Sequence, residues 1–213
     1  MELIRQDPSS TLHKILDHAR FASSGGNRQG WRVVVVSDPE LKMKIADLHR
    51  RQWSIYIDNA REGTIGYQGD RSGVKMEQHT DAATARLDRA DDFANRLHEA
   101  PALLVVYTML DTLAIADRDL DRPSVVGGGS IYTFVQNVLL GCSAEGLGSS
   151  LTTLLAAEQP AVDAVLGAPK GTALAGLVTI GRPVADKQYT KLSRHPVEQF
   201  TFHNTFAEPW STH

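Results

Sequence analysis

The stretch ASSGGNRQGWR, Ala22 to Arg32, decides how the rest of the chain is read. It sets Ser23 and Ser24, the adjacent Gly25 and Gly26, Asn27 and Gln29 directly ahead of an apolar run, Trp31 to Val36. Upstream, Leu12, Ile15, Leu16 and Ala19 share one helical face behind Ser9 and Ser10, either of which can cap the first turn. Downstream, Val33 to Val36 are four consecutive β-branched residues, which predicts a strand buried on both faces. The polar stretch therefore joins a helix to a strand. A dinucleotide fingerprint does the reverse, following a strand and opening a helix, and neither SSGGN nor VVGGGS (125–130) has its G-x-G-x-x-G spacing. A Walker G-x-x-x-x-G-K-[ST] is absent as well.

Hydroxyls, amides and a backbone free to bend at Gly25 and Gly26 form a mixed donor and acceptor surface. Such a surface suits the edge of a planar heterocycle such as a flavin. A plain turn between helix and strand accounts for the same residues.

The 213 residues, 42% hydrophobic, suit one compact domain, 1–213. A net charge of -3, with 22 basic residues spread among 25 acidic ones, leaves no basic stripe for nucleic acid. No apolar run reaches the roughly 18 to 20 residues of a membrane span, and MELIRQDPSS has no signal-peptide core, so a cytoplasmic chain is expected. Cys142, without a partner cysteine, is read as a packed small hydrophobe. The eight histidines form no H-x-x-x-H pair and none joins Cys142 at ligand spacing, so no metal site is expected. No G-x-S-x-G elbow supports a hydrolase. His13, His18, His49 and His98 fit helix surfaces, and His79 falls in a loop.

Asp38-Pro39-Glu40 opens a second helix, with Leu41, Ile45 and Leu48 on its face, that runs on past Trp53 and Tyr56. From Arg61 to Thr80 four glycines break the pattern into a long loop that either covers a site or is mobile; Trp53, Tyr56 and Tyr67 near it are candidates to stack on a substrate, with core packing or a dimer contact the favoured reading of Trp53. Leu87, Ala90, Phe93 or Ala94, and Leu97 resume a helix that Pro101 ends before a strand at Ala102 to Tyr107. After a polar connection, Asp111 to Pro123, the glycines 127–129 lead to a central helix carrying Ile131, Phe134, Val135, Val138, Leu139 and Cys142. Gly146 is placed to stop it in a left-handed cap. GLGSSLTTLL then runs extended, followed by a short helix near Ala161 to Leu166, a core strand near Leu174 to Ile180 and a polar tail from Arg182.

Three segments in order carry a resemblance. ASSGGNRQGW is similar to the helix-to-strand segment of the nitroreductase family of FMN-dependent oxidoreductases, commonly A-P-S-G-G-N-x-Q-[PG]-W; GGGSIYTFVQNVLLGCSAEGLGSSLTT resembles its central helix and following strand; and TKLSRHPVE resembles its C-terminal phosphate-side segment. The resemblance implies an α+β fold with a central mixed, mainly antiparallel sheet flanked by helices, in an intertwined homodimer with two FMN sites between subunits. It implies that Ser23, Ser24, Gly25, Gly26, Asn27 and Gln29 line the flavin ring from across the interface. Thr152, Thr153 and Leu154 would lie by the reactive nitrogen, and Arg194 with Lys191 would meet the phosphate, a task that suits a bidentate guanidinium. The implied activity moves hydride from NAD(P)H through FMN to a small-molecule oxidant, a nitroaromatic, quinone or activated alkene, with no catalytic side chain. A flavin- or deazaflavin-sequestering protein without NAD(P)H turnover, or a specialised oxidase or dehalogenase, is the alternative. The chain departs from the pattern twice: the family's early R-x-x-R is missing, with only Arg5 nearby, and Ser23 stands where proline is usual.

Overall fold

The computed structural model describes residues 8–62, 81–183 and 194–210, in two compact units, one ending at Pro183 and one beginning at Val184. In the first, helices α1 (Pro8–Ala19), α2 (Pro39–Arg61), α3 (Asp81–Asn95), α4 (Gly129–Ala144) and α5 (Gln159–Leu166) flank strands β1 (Trp31–Val36), β2 (Ala102–Met109), β3 (Gly148–Thr152) and β4 (Thr172–Gly181). The sheet runs β1-β2-β4-β3 and every pair is antiparallel. No parallel pair of the expected mixed sheet occurs among these strands: β2 and β3 run in the same direction, but β4 lies between them.

Side chains alternate between two cores. Ala102, Leu104 and Val106 of β2 face one, with α1 and α4; Leu103, Val105 and Tyr107 face the other, with α2 and α5. The four residues Leu103 to Val106 are at most 1% exposed, and a buried leucine contributes roughly 1.5–3 kcal/mol. The valine run takes part in both cores but not in the centre of the sheet. Val33 packs against the first core and Val34 and Val36 against the second, yet β1 is an edge strand and Val35 is 43% exposed. The longer apolar strands β2 and β4 hold the middle.

Helix ends follow their sequence signals. Asp38 accepts a hydrogen bond at 2.9 Å from the Leu41 amide, ahead of Pro39. Asp38→Ala should therefore lower stability by about 1 kcal/mol, seen as a shifted urea midpoint with unchanged slope; an unmoved midpoint would show that Pro39 alone starts the helix. Helix α4 stops in a double-bonded cap, the Leu147 amide donating to the Cys142 carbonyl and that of Gly146 (φ 71) to the Ser143 carbonyl. Cys142 is fully buried and its thiol pKa is pushed up by that burial. In the 111–123 connection, the Val125 amide, the Ser124 hydroxyl and Arg122 converge on Asp117, holding its carboxyl well below the usual range.

On α4, Ile131, Phe134, Val135, Val138 and Cys142 are buried, while Leu140 is 58% exposed. No described helix is long and apolar enough to cross a membrane. The C-terminal unit has a single 3-10 turn among its described residues, Val197–Gln199, and a Phe202–Pro209 bridge, with Phe202 and Phe206 rings 5.1 Å apart.

Candidate functional site

A cavity of about 570 Å³ opens between α2, α3 and the free edge of β3, within the size range of small-molecule sites. Ser150 to Leu154 and Thr179 form one wall. The opposite wall comes from His49, Trp53, Tyr56 and Ala60 of α2 with Arg86, Leu87, Ala90 and Phe93 of α3.

Helical periodicity builds the α2 wall, since positions 49, 53, 56 and 60 follow each other at three or four residues and so stand in one row. The His49 and Trp53 rings stack at 6.0 Å, and those of Trp53 and Tyr56 lie 5.3 Å apart. The Trp53 indole donates to Asp91 at 2.8 Å, tying α2 to α3. Gln52 donates to Glu158 at 2.6 Å, tying α2 to the 3-10 turn Leu154–Glu158.

The β3 wall depends on how that strand ends. Thr152 makes its last pairing, with Leu177; Thr153 then leaves the extended region and the chain enters the 3-10 turn. Its peptide groups thus leave the ladder at the cavity. The register of β2 on β4 shifts at Val106/Tyr107, opposite Gly176, where a Cβ would stand 3.1 Å from the Thr152 carbonyl oxygen. Glycine at 176 is what lets β3 sit this close.

His49 is the main addition to the sequence reading. It does not lie on a helix surface but is 2% exposed, with Nε2 3.2 Å from the Thr152 hydroxyl. Its Nδ1 is buried without a hydrogen-bond partner. Burial drives its pKa down from 6.5 to about 4, with the charge of Arg50 adding to the effect. The ring is therefore neutral at pH 7. The signal was present in the spacing, because 49 continues the face of Ile45 and Leu48, but its partner lies 103 residues away. His98 is also half-buried, in the 3-10 turn Leu97–Glu99, with a buried unpartnered Nδ1.

Thr152, Thr153 and Leu154 thus line one cavity, with Thr153 exposed to it. The other expected ring contacts lie elsewhere. Ser23 to Gln29 form an exposed turn at the far edge of the sheet, beside β1, containing the 3-10 turn Gly25–Asn27. Two intervening strands put β1 and β3 about 14 Å apart or more. The turn borders a recess of about 10 Å³. Its conformation is sharply defined: Gly26, Asn27 and Gln29 have φ of 60, 54 and 49. Left-handed backbone at non-glycine residues costs energy and clusters at ligand sites. Several of its polar groups bond locally: Ser24 Oγ accepts from the Gln29 amide, the Gln29 side chain donates to Asn27 Oδ1, and Ser130 Oγ accepts from the Gly25 amide. Arg5, Tyr67, His79 and Lys191 fall outside the described residues, and Arg194 is an exposed residue of the C-terminal unit.

Comparison with known proteins agrees with this architecture. The NADH dehydrogenase of Thermus thermophilus is 27% identical over 219 residues, covering 90% of this chain and 84% of that protein. Among solved structures, iodotyrosine deiodinase bound to FMN and 3-iodo-L-tyrosine superposes with a TM-score of 0.63 at 22% identity, covering 93% of this chain and 91% of the other. The FMN and NADPH-dependent nitroreductase NfnB of Sphigopyxis sp. strain HMH gives 0.61 at 20% identity, covering 96% and 93%. At such identities these two likenesses are of fold. The sequence pattern of the nitroreductase family matches residues 8–182, and the chain belongs to the nitroreductase family.

Proposed function

We propose that this protein is an FMN-dependent oxidoreductase that works as a homodimer, with each site built from the 150–154 wall of one subunit and the 23–29 turn of the other. When bound, FMN would supply the redox chemistry, hydride transfer from NADH or NADPH to a nitroaromatic, quinone or activated alkene. The observation that carries this reading is the separation of the two polar sets on opposite edges of one sheet. A flat ring cannot meet both in a single subunit, whereas a two-fold copy can bring one edge against the other.

The residues present suit a flavin ring. Hydroxyls of Ser150, Thr152, Thr153 and Thr179, and peptide groups at the end of β3, face an otherwise aromatic and aliphatic wall. Among the described residues Arg86 is the one charged side chain lining the cavity, and no carboxylate or thiol lines it. The chain's own contribution is thus to orient a planar ring and exclude water, not to supply an acid or nucleophile. The family resemblance, and not the placement of either residue, assigns Arg194 with Lys191 to the phosphate.

Support comes also from family membership and from relatives that bind FMN or use NADPH. Purified protein given FMN should turn yellow, bleach with NADPH or NADH under nitrogen and recolour with a quinone. Yellow protein that both nucleotides leave unchanged would instead identify a flavin-sequestering protein. Protein that takes up no FMN would overturn both readings.

A further inference from the structure

We infer that His49 is a positioning residue that fixes the Thr152 hydroxyl as a hydrogen-bond donor directed into the cavity. The inference rests on the flavin reading only for the identity of the acceptor. A threonine hydroxyl is ordinarily a rotor, able to donate or accept as its surroundings require. At Thr152 the surroundings leave it one choice.

The argument starts from the imidazole. His49 is 2% exposed, and burial beside Arg50 keeps it neutral. A neutral ring has two tautomers. With the proton on Nδ1, a buried N–H has no partner; with the proton on Nε2, the unpartnered atom is a ring lone pair. Orphaned buried N–H groups are the rarer of the two states in folded proteins. Nε2–H therefore donates to Thr152 Oγ1 across the 3.2 Å contact.

Thr152 Oγ1 also accepts from the Leu154 amide, at 3.4 Å. A hydroxyl oxygen has two lone pairs. With both engaged, its proton turns away from His49 and Leu154, and Thr152 is among the residues that line the cavity. A bound ring meets a donor already oriented, which loses little rotational freedom on binding. The acceptor this suits is an unprotonated ring nitrogen or carbonyl oxygen, both present on oxidised FMN. Trp53, stacked on the imidazole and anchored on Asp91, holds the ring in place.

The test begins with the unaltered protein. With 15N-labelled histidine and no FMN, long-range proton–nitrogen correlation at pH 7 should show His49 Nε2 protonated and Nδ1 bare. Proton on Nδ1 would overturn the inference without any variant having to fold. Three variants then test the consequence through FMN affinity, read by quenching of flavin fluorescence. His49→Gln keeps a side-chain N–H donor and should bind FMN within about twofold of the parent, whereas His49→Leu and Thr152→Val should each weaken binding about five- to tenfold. The double variant should be no weaker than the worse single one, because both remove the same donor. His49→Leu binding as tightly as the parent would overturn the donor's role while leaving the flavin reading intact. A parent that takes up no FMN, yet shows the Nε2–H ring, would overturn the flavin reading and this donor's target but not its orientation.

Discussion

Leu140→Asp should turn the protein into a folded monomer that no longer holds FMN. Leu140 is 58% exposed on α4, on the side away from the buried Ile131, Phe134, Val135, Val138 and Cys142, so the substitution removes little from a single subunit. In the proposed homodimer, the exposed apolar Tyr132 and Leu140 assign α4 to the seam, and the interface would carry the new carboxylate twice. Burying an uncompensated charge costs roughly 3–5 kcal/mol, which corresponds to association weakened at least a hundredfold. Size-exclusion chromatography with light scattering should report one subunit, the urea midpoint should stay near that of the parent, and the yellow colour should be lost. A variant that remains dimeric and yellow would place the seam elsewhere.

The second large effect concerns acid. His49 has its pKa depressed in the native state, so the unfolded chain binds a proton below pH 6.5 that the folded chain refuses until about pH 4. The stabilising contribution is thus complete above pH 6.5 and lost as the pH falls through that window. At about 1.4 kcal/mol per pH unit, a displacement from 6.5 to about 4 corresponds to about 3 kcal/mol. Arg50, on the same helix, adds to the depression, while Thr152 and Trp53, which face the ring, are uncharged. His49→Gln should abolish this component. Asp117, whose carboxyl is also held low, weakens both proteins alike in acid and cancels from the difference. Urea midpoints of parent and variant should converge as the pH falls from 7 to 4.5; parallel pH profiles would mean that the histidine is freely protonated in the native state.

Local signals proved legible wherever one stretch of chain contains its own cause. Asp38 and Pro39 start α2, Gly146 stops α4, and the periodicity from Ile131 to Cys142 does mark a buried helix. Features that depend on distant partners were harder to read. Four valines carry the mark of contact with two layers but not of position within the sheet, and β1 proved to be an edge. His49 follows the apolar stripe of α2, yet nothing near it in sequence announces Thr152. Arg86 reaches the cavity because α3 begins at Asp81, before its apolar face at Leu87 becomes visible as a pattern. Resemblance to the family pointed to three site segments, and of these the 152–154 segment lines the cavity.

The account turns on a site shared between two chains, and complementation tests it most directly. Gly26→Val forces a β-branched residue into φ 60 and spoils the polar turn; Thr153→Arg fills the cavity from an exposed position. Each variant alone should bind no FMN. Refolded together in equal amounts, half the dimers are mixed, and each mixed dimer has one site made of two unaltered halves, so about a quarter of the sites should return. Flavin bound per subunit at saturation reads this fraction. Recovery near a quarter is the predicted result; a mixture as colourless as its components would contradict it, because every site would then be built within a single chain.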